Sequence, residues 1–182
     1  NGRSRGLGDV YKRQIVYSII LVCQMFISLV EVCEKELLMS SSSKIKVLFI
    51  CTGNSARSIM GEMAANILMG GKFVGYSAGS KPTGSVNNAA LDIAREIGYP
   101  LSKLQSKSIT PFMSCENHSF DYAITVCDNA KDSCPIFTNC SKILHWGYSD
   151  PADIDDFDDR KQELLRIYND IGRKLNDLLK KN

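Results

Sequence analysis

The chain has 182 residues, 22 Lys+Arg against 20 Asp+Glu, 44% apolar residues and 7 cysteines. A net charge of +2 leaves no basic excess of the kind that tracks a phosphate backbone, so no nucleic-acid partner is expected. The apolar and charged fractions are globular values, which excludes wholesale disorder and the collagen-like, coiled-coil and low-complexity classes.

Residues 1–14 are polar, glycine-rich and basic, and residues 15–30 are mostly apolar. Sixteen residues make about 24 Å of helix against the roughly 30 Å of a hydrocarbon core. A basic stretch before an apolar run also suits a signal peptide, but no small-x-small cleavage site follows. Met39 opens a serine-rich lead-in to the first strand. Residues 1–38 are therefore read as a non-domain leader, translated upstream sequence in which DVYKRQ resembles adapter read-through. A targeting or anchor segment is the alternative. Residues 39–182 have an ordinary single-domain length, with no membrane role if the leader is not native.

Residues 45–51 (IKVLFIC) form a short apolar, β-rich run, as expected of a strand buried on both faces. Ser58 to about Met69 has apolar residues at helical spacing and stops at Gly70-Gly71. Phe73–Ala78 reads as the second strand, followed by a turn-rich segment with Pro82 and Gly84. Val86–Ile97 is a second helix ending at Gly98-Tyr99-Pro100. Residues 101–118, broken by Pro111, read as loop and short helix. Asp121–Val126 is the third strand and Lys142–Leu144 a short fourth. Asp158–Leu179 is a long amphipathic helix with Leu164, Leu165, Ile167, Ile171, Leu175, Leu178 and Leu179 on or near one stripe. Strand and helix alternating through short connections predict an α/β fold on a parallel open sheet.

The most informative segment is Cys51-Thr52-Gly53-Asn54-Ser55-Ala56-Arg57-Ser58, between a strand and a helix. Open α/β sheets bind ligands at the carboxyl ends of their strands. A tight loop there turns backbone N–H groups inward, and the helix adds its positive N-terminal end. Gly53 and Asn54 suit unusual backbone angles. Arg57 supplies a planar donor pair for a tetrahedral oxyanion. Ser58 suits the helix N-cap, and its hydroxyl can also donate to a thiolate. A thiol so placed, Cys51, reacts as its thiolate. The competing reading, an inert cysteine ending a core strand, leaves the arginine after five intervening residues unexplained.

This spacing resembles the phosphate loop of the low-molecular-weight tyrosine phosphatases, and CTGNSARS is closer still to the arsenate reductases that share that fold. The resemblance runs through residues 44–177. It includes MGEMAANIL, YSAGSKPTG, DYAITVCDNAKDSCPIF and LHWGYSDPA. It implies a four-stranded parallel sheet flanked by helices and a thioredoxin-linked arsenate reductase with no metal or nucleotide cofactor. Many relatives carry a second cysteine where this chain has Ala56. That cysteine is not the nucleophile, so its loss is expected to be tolerated.

Cys127 and Cys134 bracket the polar segment DNAKDS after the third strand. If that strand lies beside the first, Cys127 emerges near Cys51, and a short polar loop supplies the reach that disulfide exchange requires. The resemblance assigns Cys127 and Cys134 as the second and third thiols of a relay. Two other readings remain open. Both can be buried small hydrophobes. Cys127, Cys134, Cys140 and His145 can also be set out as a zinc site, although the close CxxC knuckles of structural zinc are missing. Cys115 and Cys140 have no assigned role and His118 reads as a loop residue. His145 and Trp146 are expected to brace the site rather than perform chemistry.

Asp150-Pro151 follows the fourth strand at the ligand edge. The departing oxygen needs a proton donor, and the resemblance makes Asp150 that acid. The competing reading is a turn-forming Asp-Pro. The acidic residues from Asp153 to Asp159 are expected to be solvated or to favour the next helix N-terminus. Some related reductases hold potassium behind the loop. Asn54, Glu62 and Ser77 match three of those positions and Lys107 aligns with the fourth, so an ammonium is expected in place of the cation. Together these residues predict reduction of arsenate by Cys51, Cys127 and Cys134, with thioredoxin as reductant, in a reducing, cytoplasmic compartment. Phosphate or sulfate would fit the same loop. The alternative is hydrolysis of phosphate monoesters through a Cys51 phospho-enzyme, for which the second cysteine pair is superfluous. A non-catalytic oxyanion-binding module would need neither Asp150 nor the extra thiols.

Overall fold

In the computed structural model the chain divides into two compact units, Asn1–Ser43 and Lys44–Asn182. The structure describes residues 44–113, 119–127 and 140–181, together with Gln24, an exposed helical residue of the first unit.

The second unit is built on four parallel strands: β1 (Ile45–Cys51), β2 (Phe73–Gly79), β3 (Phe120–Cys127) and β4 (Cys140–Tyr148). Their order is β2-β1-β3-β4, which places β1 and β3 side by side at the centre. Among the described residues three α-helices accompany them: α1 (Arg57–Ile67), α2 (Asn88–Glu96) and α3 (Phe157–Lys180). The predicted elements all form, with shifted boundaries. β4 is much longer than the three residues expected, and residues 101–113 contain two single 3₁₀ turns, Leu101–Lys103 and Thr110–Phe112.

The period-2 alternation of β1 explains how the sheet divides the core. Val47, Phe49 and Cys51 face the larger cluster, which the helices fill with Ile59, Met60 and Met63 of α1, Ile93 of α2, and Leu164, Ile167, Ile171 and Leu175 of α3. Leu48 and Ile50 face the opposite side, against Ala78, Ile109, Phe120 and Ala123. A β1 buried on both faces is what its unbroken apolar run required. On α3, Leu165, Leu178 and Leu179 are only partly buried at the edges of the stripe.

Local chemistry sets the helix ends. Asn87 caps α2 by accepting from Ala89 N at 2.9 Å, and Asp156 caps α3 by accepting from Asp159 N at 2.9 Å. Asp158 and Asp159 occupy the first turn of α3, where the helix dipole favours negative charge. α1 differs. Its N-cap position is Ala56, with no side-chain cap, so the first N–H groups of this helix are left facing the loop after β1. The expectation that Ser58 caps the helix is thereby corrected: the helix begins one residue earlier and Ser58 lies inside its first turn. Among the described residues no helix is long and apolar enough to cross a membrane.

Candidate active site

The loop between β1 and α1 owes its polarity to hydrogen bonds on its outer side. Ser80 N donates to Cys51 O at 3.1 Å, Lys81 N to Thr52 O at 2.9 Å, Thr83 N to Gly53 O at 3.0 Å and Asn87 N to Ser55 O at 2.9 Å. Ser106 Oγ adds a second donor to Gly53 O at 2.9 Å. With the carbonyls of Cys51, Thr52, Gly53 and Ser55 tied outward, the loop is free to turn its peptide N–H groups inward, as an anion-binding nest requires. Close approach of the strand after the loop depends on Gly79, where a Cβ would lie 2.7 Å from Thr52 O and 2.9 Å from Asn54 Cβ. Asn54 takes a left-handed backbone, φ 46°, which asparagine tolerates better than most residues.

A chain of hydrogen bonds converges on the Cys51 sulfur. Lys107 N donates to Asn54 Oδ1 at 2.6 Å. Asn54 Nδ2 donates to Ser58 Oγ at 2.8 Å. Because Ser58 Oγ already accepts that proton, its own hydroxyl hydrogen is left to donate to Cys51 Sγ, 3.0 Å away. Asn54 N donates to the same sulfur at 3.1 Å. The buried sulfur thus meets two fixed donors at the mouth of the nest.

Arg57 is the first residue of α1 and is nearly buried. Its Nη1 donates to Tyr148 O at 3.0 Å, and its Nη2 is ion-paired with Asp150 Oδ2. Asp150 also caps the turn Pro151–Asp153, accepting from Ala152 N at 3.1 Å through its other oxygen. α3 holds Tyr148 in turn. The tyrosine hydroxyl donates to Asp170 Oδ2 at 2.8 Å and accepts from Lys174 Nζ at 3.0 Å. The Lys174 ammonium stands 4.6 Å from the Tyr148 ring and 5.5 Å from the Trp146 ring. Burial, then the Asp170 carboxylate, push ionisation of Tyr148 far above its ordinary range, so its hydroxyl stays a donor. Burial opposes ionisation of Asp170, but the Lys174 ammonium and the Tyr148 hydroxyl outweigh it and lower its pKa.

Glu62 lies buried beneath the nest and is 4% exposed. Its Oε2 accepts from Ser77 Oγ at 2.5 Å and from Lys107 Nζ at 3.2 Å, and its Oε1 accepts from Tyr99 OH at 3.1 Å. A buried carboxylate is tolerated only with such compensation. Burial and the Glu62 charge push Tyr99 ionisation far up, which keeps this hydroxyl a donor as well.

Cys127 ends β3 beside β1 and is buried, with Sγ 3.7 Å from Thr52 Oγ1. The structure therefore brings Cys127 to the residue that follows Cys51. Cys134, Cys115 and His118 lie outside the described residues. Cys140 starts β4 opposite Phe120, whereas Cys127 pairs at the far end with Tyr148. Seven strand residues span roughly 23 Å, so one zinc ion cannot take both cysteines. Burial pushes the Cys140 thiol up, as befits a packing cysteine. His145 Nδ1 is 2.7 Å from Thr125 Oγ1, and the Trp146 ring is tilted against Phe49 with centroids 6.5 Å apart. Sequence reasoning missed Tyr148, Tyr99 and Ser106. Tyr148 sits two residues before Asp150 at a strand end, a position that could have flagged it. Nothing local marks Ser106.

A family model for low molecular weight phosphotyrosine protein phosphatase matches residues 46–181, which span the loop, Arg57, Cys127 and Asp150. The chain belongs to this phosphatase family. Within it, the chain is 36% identical over 134 residues to an arsenate reductase of Bacillus licheniformis, covering 73% of this chain and 94% of that one. It is 33% identical over 132 residues to an arsenate reductase of Bacillus subtilis, covering 72% and 92% respectively. A solved arsenate reductase in its phosphate-binding state superposes with a TM-score of 0.58 at 26% identity, over 75% of this chain and 98% of that one. A tyrosine phosphatase of Erwinia amylovora shares the fold with a TM-score of 0.58 at 21% identity, over 75% and 95% of the two chains.

Proposed function

We propose that this chain reduces arsenate to arsenite, with Cys51 as nucleophile and Cys127 as resolving thiol. The observation that carries the reading is the placement of Cys127 Sγ at 3.7 Å from the Thr52 hydroxyl, on the strand next to the phosphate loop. A hydrolase with this loop needs one sulfur, and a second one here is accounted for by thiol chemistry. The phosphatase family and the reductase relatives support the same oxyanion site.

In this scheme the loop N–H groups of Thr52, Gly53, Asn54, Ser55 and Ala56, with Arg57 and Ser58, hold the arsenate oxygens. The Cys51 thiolate attacks arsenic and an oxygen leaves as water, protonated by Asp150. The Cys127 thiolate then attacks Cys51 sulfur. The S–As bond breaks, its electron pair stays on arsenic, and arsenite leaves behind a Cys51–Cys127 disulfide. Cys134 attacks Cys127 sulfur, which frees Cys51 and forms Cys127–Cys134. A dithiol protein of the thioredoxin class returns that bridge to thiols. Glu62, Ser77 and Lys107 support the loop from below. Residues 39–182 carry this activity, and the reducing cytoplasm is the compartment that maintains its thiols.

Arsenite release by the purified chain, supplied with thioredoxin, thioredoxin reductase and NADPH, tests the reading. Turnover that disappears in Cys51→Ser and Cys127→Ser supports it. Hydrolysis of p-nitrophenyl phosphate without arsenite production would assign the loop to phosphatase chemistry instead.

A further inference from the structure

Among the described residues the Arg57 guanidinium has two partners of unequal permanence. Nη1 donates to Tyr148 O, a backbone group of a buried residue at the end of β4. That bond fixes the plane of the guanidinium and leaves the edge formed by Nε and Nη2 for a two-point grip on an oxyanion. Asp150 Oδ2 accepts from Nη2, one of the two nitrogens of that edge. Asp150 is the partner free to leave. Its side chain is 43% exposed against 11% for Arg57, and among the described residues its other oxygen is engaged with Ala152 N of its own turn.

Building on the oxyanion-reductase reading above, we propose that Asp150 competes with the incoming anion for Arg57 Nη2 and thereby sets the affinity of the loop for oxyanions. A tetrahedral dianion makes the exchange favourable. It takes Nε and Nη2 together, adds the loop N–H groups, and brings two negative charges where the carboxylate brought one. The cost of displacing Asp150 is common to every anion that takes Nη2, so Asp150 acts as a built-in competitor that lowers the affinity of the loop without reordering such anions. Its departure from Nη2 also leaves the carboxyl at the mouth, on the side where the arsenate oxygen must be protonated.

The full chain is titrated with inorganic phosphate, sulfate and nitrate, following fluorescence of its single tryptophan, Trp146, or heat. Asp150→Asn is compared, because asparagine keeps the cap to Ala152 N and the side-chain size while removing the charge. Phosphate and sulfate are expected to bind about three- to tenfold more tightly to this variant. Nitrate is expected to gain by no larger a factor than phosphate, because the displacement cost removed is common to both and the lost carboxylate charge repelled the dianion more. Asp150→Ala, without the cap, is expected to move both affinities in the same direction. Unchanged or weaker phosphate and sulfate binding in Asp150→Asn would overturn the proposal, as would nitrate gaining more than phosphate. Arsenate turnover is recorded separately on the unsubstituted chain. If that chain were inactive but Asp150→Asn still tightened phosphate, the competition would stand and the reductase reading would fall.

Discussion

Replacing Lys107 by methionine removes an ammonium from Glu62 while keeping most of the aliphatic stem. The Glu62 side chain is 6% exposed and that of Lys107 is 29% exposed. Stripping one partner from a fully buried pair costs about 3–5 kcal/mol, whereas an exposed pair contributes under about 1 kcal/mol. Water reaches the lysine end, and Ser77 and Tyr99 still donate to the carboxylate, so a cost of about 2 kcal/mol follows. For a domain of this size that lowers the melting temperature by roughly 4–8 °C. Calorimetric melts of the wild type and Lys107→Met, each in sodium and in potassium buffer, read the effect. Potassium is expected to stabilise Lys107→Met, where Glu62 Oε2 and Ser77 Oγ lose their internal cation, and to leave the wild type unchanged. Arsenate turnover by the wild type should likewise differ by less than about twofold between the two salts. A melting temperature unmoved by Lys107→Met, or strong potassium activation of the wild type, would refute the assignment of Lys107 as the built-in cation.

Tyr148→Phe removes the hydroxyl that links β4 to Asp170 and Lys174, so a loss of about 1 kcal/mol in chemical denaturation is expected. Phosphate affinity should change less than about threefold, because Arg57 is held by the backbone carbonyl of this residue. Asn54→Ala should be less stable in urea than Asn54→Gly by about 1 kcal/mol, since both lose the links to Ser58 and Lys107 but only alanine is strained at φ 46°. Melting temperature against pH should fall at the acid end. Asp92, held low by its hydrogen bond from Lys161, and Glu163, held low by Arg166, contribute stability that is full above their unfolded values near 4 and is lost as pH falls through the lower folded ones. Lys161 has the opposite sign. Hydrogen bonds to Asp92 and then Glu96 push it up to about 12, so its contribution is present below the unfolded lysine value and is lost as pH rises through that point. Asp92→Asn should flatten part of both limbs, and a variant profile parallel to the wild type at both ends would rule out this pair.

What the sequence made legible follows from how local each signal is. β1, its loop and α1 were readable because an apolar β-branched run, a Gly-Asn pair and a helical repeat adjoin within about twenty residues. β4 was underestimated. Its burial alternates poorly, with Ser141, Lys142, Ile143 and His145 exposed on an edge strand, so only its middle resembled a strand. Residues 101–113 gave no periodicity because two single turns have none. In the site, Cys51 and Arg57 were visible from spacing, but the pairing of Arg57 with Asp150 spans 93 positions and is set by β4 alone. The assignment of Ser58 as a cap failed for a related reason. The helix leaves its first N–H groups uncapped where the nest needs them, and the hydroxyl serves the Cys51 sulfur instead.

The central claim is that the sulfurs of Cys51 and Cys127 meet during turnover. Cys134→Ser, mixed with one equivalent of arsenate and then digested without reductant, reads it directly by mass spectrometry. The account predicts one arsenite released per chain and a peptide pair joined through Cys51 and Cys127. Arsenite release with both of these thiols still free, or a bond from Cys51 to any other cysteine, would contradict it.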